Sequence, residues 1–298
     1  MQLALFLIVY PILWIISILP FRVLYFLSDC IYVLVYYIVG YRKKVVRENL
    51  ALALPHLSDK ERLRIEKESY HHLVDGFLEM IKTMTISDAE INKRFTFTNM
   101  ELYHEYEAKG KSISIFCAHY SSYEWLLIMN KHINFEGFGI YKKIKNKYFD
   151  KLVRDIRGKF DATLIDTKET TQVMVENYRK GIKGVYGFAA DQSPKVWKAQ
   201  HWVTFMGKEV PVHTGAETLT KRLKMNALFV KGEKLGRGRY QATFVPMVED
   251  PSKVPDFEMT DMFFKMVEQQ ILEKPEYYLW THKRWKHNKE DHPETTEK

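Results

Sequence analysis

Apolar and polar positions divide the chain into regions of different character. Residues 1–19 contain no charged side chain, and the stretch up to residue 39 adds only Arg22 and Asp29. Beyond this stretch, apolar residues recur at helical or strand spacing and polar residues separate them. The pattern predicts three regions: an apolar N-terminal segment (1–40), a folded domain (41–287) and a disordered polar tail (288–298).

Short apolar runs alternate with stretches of helical spacing through the central region. The predicted strands are residues 112–118, 136–142, 163–165, 184–190, 226–232 and 240–246. The predicted helices are residues 58–84, 122–133, 146–158, 168–180, 213–224 and 257–273. Strands that alternate with helices favour an α/β fold, in which a mostly parallel sheet is covered by helices. Functional residues of such sheets gather beyond the carboxyl ends of the strands.

The N-terminal segment is predicted to be a membrane anchor. Nineteen helical residues span roughly 28 Å, which is close to the thickness of a bilayer core. The positive charges follow the apolar run, at Arg42, Lys43, Lys44 and Arg47, whereas a signal peptide carries them first. The positive-inside rule therefore places the main domain on the cytoplasmic face. A buried core helix is the alternative for residues 1–19. Residues 21–39 could span, lie in the interface or pack on the domain, and their two charges disfavour a second span.

Charge and cysteine content narrow the class of partner. The net charge of +8 indicates an anionic partner, such as a membrane surface, an acidic protein or a phosphate-bearing substrate. No recognisable nucleic-acid motif accompanies this charge, so a nucleic-acid partner is not predicted. Cys30 and Cys117 form neither a disulfide framework nor a cluster of metal ligands, and a reducing compartment is expected.

The stretch "FCAHYSSYEW" (116–125) carries the first candidate for chemistry. His119 ends a predicted strand, and Glu124 falls in the first turn of the predicted helix that follows. Glu124 could orient His119 as a general base, because a carboxylate on one ring nitrogen fixes the tautomer and stabilises the imidazolium. Alternatively, Ser121 and Glu124 form a capping box at a helix start. A nucleophilic Cys117 is less favoured, since a strand cysteine is usually a small core residue.

Several segments together resemble one family. His119 and Glu124 match the His-x4-Asp/Glu signature of glycerolipid-type acyltransferases. "GVYGFAADQS", "VTFMGKEVPVHTGAETL", "KPEYYLWTHKRWK" and the basic "GYRKKVVRENL" are similar to segments of the lipid A biosynthesis late acyltransferase family. They occur in the family's order over nearly the whole chain. The departures are Lys283, where arginine is common, and Ser193, where an acidic residue is common; the latter could alter the choice of acceptor.

The resemblance implies a glycerolipid-acyltransferase-like fold and a membrane-bound enzyme of the bacterial inner membrane. Such an enzyme moves a fatty acyl group from an acyl carrier protein thioester to a hydroxyl of a lipid A precursor, without a metal or bound cofactor. The same chemistry on an amino-acid lipid, a phosphatidylinositol mannoside or a lysophospholipid is an alternative. A catalytically inactive membrane interaction protein is another.

The resemblance also implies roles for individual residues. His119 would be the general base and Glu124 would orient it. Arg157, or as second choice Arg154, would bind phosphate or the oxyanion. Asp191, with Gln192 beside it, also follows a predicted strand and would order the loop over the site or take part directly. The densest basic run, at residues 142–159, includes three lysines predicted to dock the acidic carrier protein: Lys143, Lys145 and Lys147.

Overall fold

The computed structural model describes residues 2–292, and a seven-stranded sheet forms its centre. The strands in chain order are β1 (Phe95–Thr98), β2 (Ile113–Cys117), β3 (Glu136–Tyr141), β4 (Thr163–Asp166), β5 (Gly184–Ala189), β6 (Trp202–Phe205), β7 (Lys208–Pro211), β8 (Asn226–Gly236) and β9 (Arg239–Val248). The central sheet has the order β1-β9-β8-β2-β5-β3-β4, and β6 and β7 form a separate hairpin. Within the sheet, β8 and β9 pair antiparallel and the other neighbours pair parallel.

Helices cover both faces of the sheet. They are α1 (Gln2–Ile18), α2 (Phe21–Val33), α3 (Lys43–Ala53), α4 (Asp59–Lys82), α5 (Asp88–Arg94), α6 (Met100–Ala108), α7 (Lys147–Gly158), α8 (Thr170–Arg179), α9 (Gly215–Arg222) and α10 (Glu258–Glu273). Successive residues of β2 enter different apolar clusters, Phe116 on one face and Ile115 with Cys117 on the other. This alternation is the period of two that places side chains on both faces of a strand. The predicted α/β fold is confirmed.

All six strands predicted from the sequence pattern are present in the structure, but the helix predicted at residues 122–133 is wrong. Turns lead from β2 into a short 3₁₀ helix at Trp125–Lys131. Ser121 has a φ of 53°, in the left-handed region, whereas an N-cap residue usually has an extended backbone. The proposed capping box of Ser121 and Glu124 therefore does not form. By contrast, α4 begins with a capping box in which Ser58 and Glu61 bind each other's backbone N–H.

The apolar N-terminal segment forms two helices, and the second packs on the domain. A π-helical stretch, Leu34–Val39, continues α2. By length and composition, Phe21–Val39 is long and apolar enough to cross a membrane, and Gln2–Ile18 is a shorter apolar helix. One face of α2 lies against α4, where Leu24 is fully buried, while Phe26 on the other face is 69% exposed. Of the arrangements considered for residues 21–39, packing on the domain is therefore present.

The end of the chain is placed as far as residue 292. A 3₁₀ turn at Lys289–Asp291 lies beside β7, and Lys289 Nζ is 2.6 Å from a carboxylate oxygen of Glu209. Residues 288–292, predicted as the start of a disordered tail, are thus fixed to the domain. The rest of that predicted tail, 293–298, lies outside the described residues.

Candidate active site

The register of two strands brings a histidine and an aspartate together. Strands β2 and β5 are parallel neighbours, and their last residues, Cys117 and Ala189, are partners in the pairing. His119 and Asp191 each lie two residues beyond this pair, at the carboxyl edge of the sheet. Because both strands end at the same level of the sheet, the side chains of His119 and Asp191 lie next to each other there.

Asp191 holds the His119 ring through one nitrogen and leaves the other available. Its Oδ1 lies 2.7 Å from His119 Nδ1 and 3.1 Å from the backbone nitrogen of His119. With Nδ1–H donated to the carboxylate, Nε2 is the acceptor, and the Gln192 amide nitrogen lies 3.2 Å from it. Asp191 is 1% exposed. The arrangement therefore selects the tautomer whose Nε2 lone pair can accept a proton.

The electrostatics of the pair favour proton uptake by His119. Burial alone would lower the pKa of His119, but the charge and hydrogen bond of Asp191 outweigh it and raise this pKa. Burial acts to raise the pKa of Asp191, yet the interactions with His119 keep it below its usual value. Asp191 thus stays ionised beside a histidine with increased basicity.

Glu124, predicted to orient His119, is bound instead by Arg157. Arg157 Nε lies 2.8 Å from Glu124 Oε2, and Arg157 Nη2 lies 2.6 Å from Oε1, which is a bidentate pair. The charge of Glu124 still contributes to the raised pKa of His119, after that of Asp191. Arg154, the second choice from the sequence, lies on the exposed surface of α7. The structure thus brings Arg157, and not Arg154, to His119 and Glu124.

A largely apolar cleft opens beside the His119 ring. Its cavity volume is about 120 Å³, and most of its lining is apolar. Its walls come from α4, from the loop after β2 and from the segment after α10. The lining includes Leu73, Phe77, Met80, His119, Tyr123, Glu124, Tyr277, Tyr278, Leu279, Trp280 and Thr281.

Cys117 is a core residue. Its Sγ lies 3.6 Å from the Phe188 carbonyl oxygen, and burial raises the pKa of the thiol to about 12. A thiol with this pKa stays protonated at neutral pH and is a poor nucleophile. The geometry gives no support to a Cys117–His119 nucleophile. Among residues 2–292, no group of three or more His, Cys, Asp or Glu side chains could hold a metal ion.

The basic end of the predicted domain is mostly a packed element. Arg284 is fully buried, with its guanidinium 5.6 Å from the Phe205 ring and 5.2 Å from the Phe264 ring. Its Nη1 donates to the Pro211 carbonyl at 3.2 Å. Lys283 beside it is exposed. Arg284 is therefore a packed core residue and not a solvated surface charge.

The three lysines predicted to dock a carrier protein are exposed. Lys143 and Lys145 lie in the loop between β3 and α7, and Lys147 is the first residue of α7. The same helix carries Arg157 ten residues later. Lys147 and Arg157 thus lie on one helix, and Arg157 binds Glu124, which lines the cleft.

The fold and the site together define a class of protein. An α/β sheet whose strand ends hold a histidine between a buried carboxylate and an open cleft has the parts that general-base catalysis requires. The bacterial lipid A biosynthesis acyltransferase model matches residues 1–287. The chain belongs to this family and is an O-acyltransferase.

Two relatives from Escherichia coli (strain K12) align along most of their length. A lipid A biosynthesis lauroyltransferase is 25% identical over 285 residues, which cover 95% of this chain and 91% of that protein. A lipid A biosynthesis palmitoleoyltransferase is 21% identical over 290 residues, which cover 92% of this chain and 89% of that protein. A lipid A biosynthesis acyltransferase of Shigella flexneri shows the same identity and coverage.

Proposed function

We propose that this enzyme adds a secondary acyl chain to a lipid A precursor, using an acyl carrier protein thioester as the donor. The proposal rests on one observation above all. His119 is fixed by the buried Asp191 and faces a largely apolar cleft. A site for this reaction needs a base for the acceptor hydroxyl and an apolar surface for a fatty acyl chain, and the position of His119 beside this cleft supports both roles.

In the proposed reaction, Nε2 of His119 removes the proton of the acceptor hydroxyl. The hydroxyl oxygen at the same time attacks the carbonyl carbon of the thioester. The resulting tetrahedral intermediate collapses with cleavage of the carbon–sulfur bond. The imidazolium returns the proton to the departing thiolate, so the products are an ester and a free thiol. Asp191 stabilises the imidazolium throughout, and Gln192 gives up its contact with Nε2 when the hydroxyl binds.

Arg157 is proposed to meet negative charge, on a phosphate or on the tetrahedral oxyanion. Two of its N–H groups bind Glu124, which lines the cleft and fixes the guanidinium plane. The remaining N–H groups are the donors available to a ligand. Glu124 then acts on Arg157 by orientation and on His119 by charge alone.

Transfer by the purified enzyme tests this function. The enzyme is incubated with an acyl-carrier-protein thioester and a lipid A precursor that lacks secondary acyl chains. Mass spectrometry then measures the masses of the lipid products. We expect one added acyl chain with wild type and at least a 100-fold lower rate with His119→Ala. Parallel reactions with a lysophospholipid, an amino-acid lipid and a phosphatidylinositol mannoside test the other acceptors. Transfer to one of these, and none to the lipid A precursor, would refute the proposed acceptor.

We also propose that α1 and the outer face of α2 attach the enzyme to the inner membrane, with the domain on the cytoplasmic side. The support is a set of exposed apolar side chains on both helices. On α1, Leu7 is 61% and Ile8 68% exposed; on α2, Phe26 is 69% exposed, and Ile38, in its continuation, 73%. Exposed apolar surface of this extent marks an interaction site.

Substitution on α1 tests the attachment better than deletion of residues 1–40. Deletion would remove Ser28 and Tyr25, which bind the buried Asp75 and Glu79 of α4. Leu7→Glu with Ile8→Glu changes exposed positions and leaves those contacts in place. We expect the double variant to move from the membrane fraction to the soluble fraction while its circular dichroism spectrum is unchanged. Full retention in the membrane fraction after a high-salt wash would show that other surfaces carry the attachment.

A further inference from the structure

The segment after α10 joins the two loops that carry the catalytic pair. The backbone nitrogen of Ser121 donates to the Tyr277 carbonyl at 3.0 Å, and that of Leu279 donates to the His119 carbonyl at 3.2 Å. Tyr120 and Tyr278 form an antiparallel bridge between these hydrogen bonds. The backbone around His119 is therefore held by residues far away in the sequence.

His282, from the same segment, holds the other loop. Its Nε2 lies 3.1 Å from the backbone nitrogen of Ser193, which donates to it. Ser193 directly follows Asp191 and Gln192, whose side chains contact the two ring nitrogens of His119. Fixing the Ser193 N–H therefore fixes the turn that presents both contacts.

His282 is itself held firmly. The side-chain nitrogen of Asn49, a buried residue of α3, donates to the His282 carbonyl at 2.7 Å and to the Trp280 carbonyl at 2.8 Å. One helix thus anchors the backbone on either side of Thr281. Whereas Tyr277–Thr281 line the cleft, His282 lies one residue further on and contacts the Asp191 loop.

The protonation state of His282 suits this contact. An Nε2 that accepts a hydrogen bond must carry no proton. Burial lowers the pKa of His282 to about 4, and the positive charges of Arg284, His119 and Lys286 also act downwards, against the opposing effect of Asp191. The ring is therefore neutral near pH 7, with its proton on Nδ1.

We propose that His282 is a positioning residue for the acyl transfer: it accepts the Ser193 N–H and so keeps Asp191 on Nδ1 and Gln192 near Nε2 of His119. This inference rests on the proposed function, in which His119 is the base. His282 does not touch the reacting atoms. Its loss changes the rate because Asp191 no longer holds the ring in register with the acceptor hydroxyl.

Two amide substitutions separate positioning from folding. His282→Gln places an acceptor oxygen near the position of Nε2, whereas His282→Asn is also polar but too short to reach the Ser193 N–H. We expect His282→Asn to lower kcat by about 10- to 100-fold with an unchanged KM for the donor, and His282→Gln to recover most of the rate. His287→Ala is the control in the same segment, because its ring packs against His292. It should retain the wild-type rate.

The protonation of His119 gives a readout that does not depend on activity. Ring ¹H–¹⁵N spectra of the full-length protein in detergent, assigned with a His119→Gln variant, report its pKa directly. We expect this pKa to fall in His282→Asn and to stay near the wild-type value in His282→Gln. The acid limb of the pH–rate profile should move to lower pH together with the His119 pKa, because only the neutral ring can act as a base.

The outcomes are distinct. Equal rates and equal His119 titrations in the Asn and Gln variants would overturn the positioning role. The proposed function fails if the wild-type enzyme transfers no acyl group to any acceptor tested. If the His119 titration nevertheless shifts in the folded His282→Asn variant and not in His282→Gln, the positioning role is upheld.

Discussion

Two aspartates of this enzyme are equally buried, at 1% exposure, and are neutralised in different ways. Asp191 forms an ion pair with His119. Asp75, on α4, binds Ser28 of α2 at 2.6 Å and Arg237, in the turn between β8 and β9, at 2.8 Å, with Lys234 3.8 Å away. The first carboxylate pairs with a histidine beside the cleft, whereas the second binds Arg237, which stays charged, in addition to His71 at 3.7 Å.

The difference separates a chemical role from a structural one. Burial acts to raise the pKa of Asp75, but hydrogen bonds, above all from His71, Arg237 and Ser28, bring it well below its usual value. Asp75 thus remains an anion that ties α2 and the β8–β9 turn to α4. The partner of Asp191 instead has a second nitrogen beside the cleft. Burial of a carboxylate is therefore not by itself a sign of catalysis.

The largest expected effect follows from removing the charge of Asp191. Asp191→Asn should lower kcat by about 10²- to 10⁴-fold while the protein stays folded, because the imidazolium loses its counter-charge. In wild type, activity should rise with pH through a His119 pKa above the ordinary histidine value. In Asp191→Asn that midpoint should move to lower pH. A rate within about threefold of wild type would show that Asp191 only shapes the loop.

An exposed aspartate provides the control for this variant. Asp161 binds Lys131 at 2.6 Å, its side chain is 72% exposed, and its φ of 64° is one that asparagine accepts well. Asp161→Asn should leave the pH–rate profile unchanged.

The second prediction breaks the structural network and measures stability instead of rate. Asp75→Asn should lower the free energy of unfolding by about 3–5 kcal/mol, because it leaves the buried Lys234 without its carboxylate partner. Asp29→Asn removes the other carboxylate on Arg237, but the Asp29 side chain is 48% exposed, so the loss should be below about 1 kcal/mol. Denaturant unfolding compares the two variants. Equal losses would mean that burial does not set the cost.

The positions of His119 and Asp191 could be predicted from the sequence, but their contact could not. Each follows a short apolar run that reads as a strand, so each was expected at the carboxyl edge of the sheet. That β2 and β5 are neighbours depends on the strand order, which local patterns do not contain. Glu124, five residues from His119, was therefore the nearer candidate, and its partner Arg157 lies 33 residues away.

Local patterns also missed features that depend on backbone conformation or distant packing. Ser121-x-x-Glu124 fits a capping box in the sequence, but Ser121 takes a left-handed conformation while its N–H binds Tyr277. Arg284 lies among lysines and reads as a solvent-facing charge, yet aromatic rings of β6 and α10 enclose it. Ser28 on α2 binds Asp75 on α4, and local sequence patterns do not contain this distant contact.

The third prediction concerns Glu124, which carries charge near His119 without touching it. Glu124→Gln keeps the size of the side chain and weakens the bidentate pair with Arg157. We expect a loss in kcat on the order of 10-fold, clearly smaller than that of Asp191→Asn, because the His119–Asp191 contact is intact. Steady-state kinetics of both variants side by side provide the test. A Glu124→Gln rate as low as that of Asp191→Asn would restore Glu124 as an orienting residue equal to Asp191.

The smallest expected effect is on recognition of the donor. Lys143, Lys145 and Lys147 are exposed, and charges of this kind steer encounter with an acidic protein more than they add affinity. Single Lys→Ala changes should barely register, because an exposed pair contributes about 0–1 kcal/mol. Reversal of all three to glutamate should raise the KM for acyl carrier protein about three- to tenfold and leave kcat unchanged.

A small acyl thioester without the carrier protein is the control, and the triple variant should use it as well as the wild-type enzyme does. Added salt should weaken transfer from the carrier more than from the small thioester, since exposed charges are screened within about 10 Å at 0.1 M salt. If the triple reversal instead impairs both donors equally, these lysines serve the acceptor's phosphates or the membrane surface, and the carrier protein docks elsewhere.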